Sequence, residues 1–329
     1  MLELHTYDAG QGDCLRIRFL GESGLYRNIL IDSGPHRFGS SYEAIVKGIG
    51  NAGECVDIQV ITHIDEDHLG GLLYIVSHNR SIQTNLIVMN HPQSLRLPSG
   101  GDTPLSVTQS NQIVSELISQ KINLTKGVKG DSIVIDGAQL CVLYPGQEQV
   151  ESCFGIAAPN TPLGITYDRG VPLEQLMERP LSYKDTSLSN KASIIFVFEY
   201  MGKRLLFTGD AWSDDLMESV RAYAEERQEE LPIYFDAVKL PHHGSAGNIS
   251  EEWPEVLRGE WYVLCANGWR HPSKQTVAKL LKWYGAVELV SSHDWWNDGY
   301  FSSAETEQFI HSKRLRFTQE KEGPILWKF

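Results

Sequence analysis

Regular spacing of apolar residues predicts most of the strands of this chain. Residues 2–7 and 14–19 alternate between apolar and polar positions, and residues 29–31 form a short apolar run. Alternation indicates a strand with one buried face, and a short apolar run bounded by turn residues indicates a fully buried strand. The same reasoning predicts further strands at 56–62, 86–89, 132–144 (two short strands around Asp136-Gly137), 192–210 (a hairpin through Met201-Gly202-Lys203), 235–240, 261–266, 286–291 and 324–329.

Helical spacing of apolar residues separates many of these strands. The predicted helices are 41–50, 69–77, 107–122, 214–230, 251–257 and 273–284, with a short patch at 174–178. Strands that alternate with helices are typical of an α/β fold. We expect one domain over 1–329, with an irregular insertion at about 145–190 and an aromatic C-terminal tail at 293–329. An insertion of that length is usually an active-site lid or a disordered segment.

Composition narrows the class of protein. The chain has 329 residues, 41% of them hydrophobic and 22% charged, which is ordinary for a globular protein. It contains no run of about 18 apolar residues, so no membrane partner is expected. The N-terminus shows no signal sequence, and cytoplasm is therefore the expected location. Five cysteines without a C-x-x-C pair argue against a disulfide framework and against a thiolate zinc site.

A dense polar cluster follows the predicted strand at 56–62. Residues 62–71 are Thr-His-Ile-Asp-Glu-Asp-His-Leu-Gly-Gly. Three carboxylates and two imidazoles this close together repel or desolvate one another unless a positive charge lies among them, and a divalent metal ion supplies that charge. The candidate ligands are His63, Asp65, Asp67 and His68.

Other predicted strands also end in polar side chains. These are Asp8, Asp32, Asp210, the pair His242-His243, and His271. Asp32 is either a turn former or a residue that orients a metal-binding histidine. Oxygen and imidazole ligands without thiolate favour zinc, manganese or iron. The supply suffices for two ions if Asp210 bridges them, and such centres hydrolyse phosphoesters most often.

Six segments resemble a known family. Three of them, 30–34, 62–71 and 206–210, resemble the metallo-β-lactamase superfamily. The other three, 8–13, 240–245 and 268–272, resemble more narrowly the hydrolase domain of the competence protein ComEC/Rec2 and its free-standing soluble relatives. The resemblance covers most of residues 1–290. It implies a four-layer αββα metallo-β-lactamase sandwich with a site for one or two divalent ions, zinc or manganese, where the two sheets meet.

The resemblance also implies roles for individual residues. His63 and Asp65 would hold a first metal, Asp67 and His68 a second, and Asp210 would bridge them. Either His242 or His243 would complete the shell. Catalytic roles fall on Asp67, as ligand or orienting base, on His271, as ligand or general acid, and on His242. The residues expected to support these ligands from behind are Asp8, Asp13, Asp32 and Asn190.

Two departures from the superfamily pattern affect the expected metal. Asp65 stands where the superfamily usually has a histidine, a difference that the ComEC-like branch shares, and a carboxylate there favours manganese. The histidine expected before the hairpin that ends at Asp210 is missing, and Ser189-Asn190-Lys191 occupies that region. Either Asn190 substitutes for it or that metal is weakly held.

The leading functional hypothesis is a phosphodiesterase or DNase that acts on nucleic acid through a metal-bound hydroxide. A net charge of −13 and the lack of a basic, aromatic-interleaved stripe count against it. The alternatives are hydrolysis of a small phosphodiester (a cyclic nucleotide or a phosphocholine ester) or of a lactone, and a metal-binding subunit of a larger assembly. In the last case residues 295–301 would contact a protein partner.

Overall fold

Two β-sheets packed face to face form the centre of the molecule. The computed structural model describes residues 1–91, 105–154, 168–319 and 323–329, except the side chains of 153 and 154, and within these residues fifteen strands divide into a seven-stranded and an eight-stranded sheet. Part of the predicted insertion, 155–167, therefore lies outside the described residues.

The first sheet has the strand order β15-β1-β2-β3-β4-β5-β6. Its strands are β1 Leu2–Thr6, β2 Leu15–Leu20, β3 Tyr26–Ile31, β4 Ile58–Ile61, β5 Leu86–Met89, β6 Asn123–Thr125 and β15 Ile325–Trp327. The strands from β3 to β6 run parallel, and the others pair antiparallel.

The second sheet has the strand order β14-β13-β12-β11-β10-β9-β8-β7. Its strands are β7 Ser132–Ile135, β8 Ala138–Tyr144, β9 Ile195–Tyr200, β10 Lys203–Phe207, β11 Ile233–Lys239, β12 Leu257–Leu264, β13 Val287–Ser291 and β14 Leu315–Gln319. The strands from β10 to β14 run parallel, and the strands from β7 to β10 pair antiparallel.

Helices cover the outer faces of both sheets. They are α1 Gly39–Asn51, α2 Glu66–Ser77, α3 Leu105–Ser119, α4 Gln147–Phe154, α5 Leu173–Glu178, α6 Leu188–Lys191, α7 Ser213–Arg227, α8 Trp253–Val256, α9 Lys274–Tyr284 and α10 Ser303–Glu305, which a π-helix at Thr306–His311 extends. Among the described residues, no helix has both the length and the apolar composition that a bilayer span requires.

Three apolar cores show the layering. The first sheet and helices α1 to α3 share one core, which includes Leu30, Val46 and Leu69. A second core lies between the sheets and joins residues such as Phe19 and Phe198. The third lies between the second sheet and helices such as α7 and α9. This layering is the four-layer αββα sandwich of the metallo-β-lactamase type, and it confirms the predicted fold class.

Parallel strands determine where polar side chains gather. In both sheets the parallel strands lie next to one another, so their carboxyl ends meet at one edge of the sandwich. Asp32 follows β3, His63 follows β4, and Asp210 follows β10. The structure therefore brings residues from both sheets to a common edge.

Two segments differ from their predicted character. The insertion at about 145–190 is less irregular than expected, because it contains α4 and most of α6 in addition to α5, the short helix predicted at 174–178. In the tail, Trp295, Tyr300 and Phe301 are buried in the core of the second sheet. Core packing therefore accounts for these three rings, and the contact of residues 295–301 with a protein partner stays a prediction. The single-domain assignment stays a prediction.

Candidate metal centre

A glycine pair allows helix α2 to carry His68 into the interior. A Cβ on Gly70 would lie 2.2 Å from the backbone nitrogen of His36, and one on Gly71 would lie 2.2 Å from the carbonyl oxygen of Ser33. Glycine at both positions therefore lets α2 pack against the turn that follows β3. Ser33 fixes this contact by donating from its amide and its hydroxyl to the carbonyl of His68 at 2.7 and 2.9 Å.

Three buried imidazole nitrogens have no hydrogen-bond partner among the described residues. These are Nε2 of His63, His68 and His243, and the Oδ1 atom of Asp210 is also unpaired among the described residues. His68 Nε2 lies 3.4 Å from Asp210 Oδ1, and His243 Nε2 lies 3.6 Å from Asp210 Oδ2. The ring centroids of His63 and His68 are 4.1 Å apart. Buried polar atoms without hydrogen-bond partners are costly, and here the Nε2 atoms of His68 and His243 both approach the carboxylate of Asp210.

Two buried carboxylates hold the opposite nitrogens of these rings. His68 Nδ1 donates to Asp32 Oδ2 at 2.8 Å, and His243 Nδ1 donates to Asp13 Oδ1 at 2.9 Å. Asp32 is itself fixed by the amide of Thr62 at 2.7 Å and its hydroxyl at 2.8 Å. A carboxylate that accepts a hydrogen bond from Nδ1–H keeps the proton of the neutral ring on Nδ1 and leaves the Nε2 lone pair free, as in metal-ligating histidines.

Asp13 lies among the ligand atoms but is already engaged. One ligand atom from each of Asp13, His68, Asp210 and His243 falls within 4.8 Å of the others. The two Asp13 oxygens, however, accept from His243 and form an ion pair with Lys239. We therefore place Asp13 behind the ligands, as an orienting carboxylate.

Lys239 is a buried cation that sequence reasoning missed. It is 2% exposed, pairs with Asp13, donates to the carbonyl of Gly209 at 3.0 Å, and lies 3.7 Å from Asp210 Oδ1. The only sequence sign of it was a lysine inside an apolar run, directly before the Leu-Pro-His-His tip. It gives the acidic cluster one permanent positive charge.

The adjacent histidines 242 and 243 both face Asp210. Their backbones are left-handed, with φ of 47° and 53°, a conformation that costs energy for residues other than glycine. In this turn His242 Nε2 comes within 3.8 Å of Asp210 Oδ2, close to the 3.6 Å of His243. His243 additionally lies 3.3 Å from Asp67 Oδ2, so it contacts two candidate ligands where His242 contacts one.

The predicted insertion supplies Asp185, a second residue that sequence reasoning missed. Its Oδ2 atom lies 3.2 Å from His242 Nδ1 and accepts from Asn190 at 2.7 Å and from Asn248 at 2.9 Å. Asn190 therefore orients Asp185 and approaches His242 at 3.3 Å. No motif identified Asp185 in the sequence, since it lies outside the predicted strand tips.

Asp65, Asp67 and His271 lie at the rim of the buried group. The side chains of Asp65 and Asp67 are about one third exposed, and Asp65 Oδ2 is 3.7 Å from His63 Nε2. Ser189 donates to the other Asp65 oxygen at 2.5 Å. The His271 ring is 5.0 Å from that of His242, and its Nδ1 has no partner among the described residues.

Asp8 has a different environment from the other predicted site residues. It lies at the surface, where Oδ1 accepts from the amide of Gly10 at 3.1 Å and Oδ2 lies 3.3 Å from His293 Nδ1. It therefore shapes the turn between β1 and β2 at the outside of the site.

Local charges divide the histidines into two groups. Burial, with the neighbouring His68, lowers the pKa of His63 to about 4. Burial also opposes protonation of His243, but Asp210 and Asp13 outweigh it and raise its pKa to about 10. His68 follows the same pattern: against burial, Asp210 and Asp32 raise its pKa well above the usual value. For His271, burial with His242 and His243 lowers the pKa well below the usual value.

These shifts show that the carboxylates require positive charge in this space. The protonated rings of His68 and His243 provide it when no metal is bound, and against the effect of burial they keep the pKa of Asp210 well below its usual range. A divalent cation would replace those protons. Unpaired Nε2 atoms, anchored Nδ1 atoms and a central carboxylate match the donor set of an oxygen- and nitrogen-ligated metal. The residues therefore fit a divalent ion.

Comparisons with known proteins agree with these motifs but are distant. No protein-family model matches the chain. ComE operon protein 3 of Bacillus subtilis (strain 168) is 22% identical over 297 residues, which cover 85% of this chain. The match covers 30% of that protein, so this chain spans about a third of its length.

Several solved structures are also similar. The metallo-β-lactamase fold protein YhfI from Bacillus subtilis is 8% identical, with 100% of both chains covered and a TM-score of 0.45. Zn(2+)-bound PqqB from Methylobacterium extorquens is 11% identical, with 92% of this chain and 84% of that chain covered and a TM-score of 0.42. CmlA, a diiron β-hydroxylase from Streptomyces venezuelae, is 11% identical, with 97% and 52% covered and a TM-score of 0.40. Similarities this distant do not indicate the chemistry of this chain.

Proposed function

We propose that this chain is a metal-dependent hydrolase of the ComEC-like branch that cleaves phosphodiester bonds, with nucleic acid as the substrate. The observation that carries the proposal is the approach of His68 and His243 Nε2 to Asp210 in a buried space, beside the ring of His63, whose Nε2 has no hydrogen-bond partner among the described residues. Buried polar atoms without partners are retained where they serve a ligand.

One or two divalent ions, zinc or manganese, fit these residues. His63, His68, His243 and Asp210 would hold the metal, and Asp65, Asp67 and His242 are near enough to complete a second position. A bound divalent ion supplies Lewis acidity toward the phosphoryl group and activates water for the attack.

The side chains of this protein then fix the geometry of that site. Asp32 and Asp13 keep the protons of His68 and His243 on Nδ1, so that Nε2 faces inward. Lys239 offsets part of the negative charge of Asp13 and Asp210, which lets these carboxylates remain ionised in a buried space. Asp67, at the rim, is placed to orient an attacking water because it is partly open to solvent.

His271 is suited to accept a proton or to bind a metal. Its pKa is held well below the usual value by burial and by His242 and His243, so in the metal-free protein the ring is neutral near pH 7. In the neutral tautomer that carries its proton on Nε2, the Nδ1 atom is a hydrogen-bond acceptor. The general-acid role requires that substrate binding raise its pKa.

The preference for phosphodiesters rests on the sequence motifs and on the chemistry of the centre. The segments 8–13, 240–245 and 268–272 resemble ComEC-like hydrolases, and the curated relative named above aligns with most of the chain. Carboxylate-rich centres suit hard ions, which bind phosphate oxygens well.

Metal analysis and a substrate screen test this function. Protein loaded with Zn²⁺ or Mn²⁺ is incubated with bis-p-nitrophenyl phosphate, a single-stranded oligonucleotide, plasmid DNA, a cyclic nucleotide and a lactone. We expect cleavage of the oligonucleotide and of the nitrophenyl ester, dependent on metal. Turnover of the lactone alone would overturn the proposed phosphodiesterase activity. A metal-loaded protein that is inactive on every ester would favour the role of a metal-binding subunit.

A further inference from the structure

An exposed tryptophan lies beside the metal centre. Trp269 is 66% exposed, although an indole ring gains much stability from burial. Trp269 lies two residues before His271 in the sequence, and the ring centroid of His271 is 5.0 Å from that of His242. Trp269 is therefore attached directly to the wall of the candidate site.

The turn that carries Trp269 is held tightly. The amide of Gly268 donates to the carbonyl of His271 at 2.9 Å, and the amide of Trp269 donates to Asn267 Oδ1 at 3.1 Å. Gly268 has φ +78°, and a Cβ there would lie 2.3 Å from Cβ of the buried Trp295. The exposure of Trp269 is thus a property of a fixed turn packed on the core.

Two arginines border the same opening. The Arg270 guanidinium carbon lies over the Trp269 ring, 4.9 Å from its centroid. Arg37 approaches from the first sheet, and both loops meet at Gly10: a Cβ on Gly10 would be 3.1 Å from Arg37 Nη2 and 3.9 Å from Asn267 Nδ2. Residues far apart in sequence therefore form one surface, and we name Trp269, Arg270 and Arg37 the rim platform.

The rim platform adjoins the candidate ligands. The amide of His36, next to Arg37, donates to Glu66 Oε1 at 2.6 Å, at the start of the helix that carries Asp67 and His68. On the same side, a Cβ on Gly12 would lie 2.1 Å from the carbonyl oxygen of Asp67. A ligand on the platform would therefore extend directly into the metal centre.

The two arginines have no carboxylate partner within the part of the chain that the structure describes. Most other arginines have one: Arg16 and Arg18 pair with Glu54, Arg27 with Asp136, Arg204 with Glu229, and Arg221 with Glu252. The nearby carboxylate of Asp8 is held by His293. In a chain of net charge −13, free cations at this opening are placed to meet an anion.

We infer that the rim platform binds an unpaired base and its phosphate, so that the substrate of the centre is single-stranded nucleic acid. This inference rests on the proposed function and specifies its substrate class. Trp269 offers a flat apolar surface on which any base can stack, while Arg37 and Arg270 contact the backbone phosphates. A base pair in a duplex presents no free face to such a ring, so the platform selects unpaired strands.

The inference is tested by strand binding without hydrolysis. Binding of a fluorescein-labelled single strand of about 12 nucleotides, within the typical site size, is measured by anisotropy in EDTA for the wild type and for W269A, W269F, the pair R37Q/R270Q and Y234A. Tyr234 is the matched control, because it is an exposed aromatic residue at the opposite end of the second sheet. A duplex of the same sequence serves as competitor.

We expect W269A to weaken strand binding about ten-fold or more, W269F to retain most of the affinity, and Y234A to bind as the wild type does. The arginine pair should reduce the slope of log affinity against log salt by about 0.7 for each backbone phosphate that the variant no longer neutralises. Equal binding by W269A and the wild type, equal binding of duplex, or no strand binding by the wild type would overturn the inference. Metal-dependent hydrolysis of the nitrophenyl ester without strand binding would overturn only the binding role of the rim platform. Strand binding without hydrolysis of any ester would overturn only the proposed hydrolase function.

Discussion

The substitution Asp32→Asn isolates the role of the carboxylate behind His68. In the wild type, Asp32 accepts from the amide of Thr62 at 2.7 Å, from its hydroxyl at 2.8 Å and from His68 Nδ1 at 2.8 Å. Asparagine has the same shape but only one acceptor oxygen. With that oxygen toward the Thr62 amide, its NH₂ group faces His68 Nδ1, and two donors oppose each other.

The expected loss of metal affinity follows from the two ways in which the His68 ring can avoid the contact between two donors. Either the ring moves its proton to Nε2, which removes the lone pair that a metal needs, or a buried donor stays unpaired at a cost of about 1–3 kcal/mol. Loss of such a supporting partner typically lowers metal affinity 10- to 100-fold, which is about 1.4–2.7 kcal/mol. The two estimates agree, so we expect Asp32→Asn to weaken metal binding by about that factor.

Competition with a chromophoric chelator measures the affinity for Zn²⁺ and Mn²⁺, and thermal unfolding in EDTA measures the stability of the metal-free fold. The control is Asp57→Asn. Asp57 is also buried and accepts from the amide of Asn28 at 2.8 Å, but it lies at the opposite end of β4 from Thr62. We expect the control to lose stability and to keep its metal affinity. Wild-type affinity in Asp32→Asn, or an equal loss in Asp57→Asn, would refute the reasoning.

Three further predictions concern charge and chemistry at the same centre. Lys239→Met should lower the free energy of unfolding by about 3–5 kcal/mol in urea titrations, since the buried carboxylate of Asp13 would lose its ion pair with the lysine and keep the hydrogen bond from His243. Adding Asp13→Asn should recover part of that loss. Metal binding at pH 7 should release on the order of two protons, because carboxylates raise the pKa of His68 and His243 above neutrality. The metal affinity should therefore rise with pH. A binding enthalpy that does not depend on the ionisation enthalpy of the buffer in calorimetry would contradict this. Asp67→Ala should abolish hydrolysis of bis-p-nitrophenyl phosphate. The far-UV circular dichroism spectrum should stay unchanged, because the Asp67 side chain is partly exposed. Retained turnover would exclude Asp67 from the chemistry.

Local patterns predicted the strands and helices of an α/β fold, and the resemblance to the metallo-β-lactamase superfamily implied their four-layer arrangement. Period-two and apolar runs predicted strands such as Leu15–Leu20 and Ile233–Lys239, and helical spacing predicted helices such as α2 and α9. These patterns are local consequences of burying one face of an element. Short, half-exposed elements escaped prediction: β6 at Asn123–Thr125 has little apolar content, and the short helix α6 lies in a segment that reads as loop.

Several ligand candidates were also visible in the sequence, because they stand where a strand ends. His63, Asp210 and the pair His242-His243 were identified in this way, and the structure brings residues of both sheets to a common edge. The sequence did not identify Lys239 and Asp185 as partners of this group. Their importance depends on burial and on long-range contacts, to Asp13 and to His242 respectively. Neither property has a local sequence pattern.

The sequence by itself determined the alternation of strands and helices and the chemical character of the centre, since apolar periodicity and residue type are local properties of a chain. The four-layer arrangement was expected only from the family resemblance. Only the tertiary structure decided which ring nitrogens face inward, that Asp13 lies behind His243, and that Lys239 gives the cluster a permanent cation. It also brought Arg37 to the same surface as Trp269 and Arg270. The sequence did not predict this surface, because its residues form no continuous basic stripe along the chain. The physical reason is that hydrogen-bond direction, burial and charge proximity depend on distances in space, and strands from opposite ends of the chain meet only once both sheets have packed.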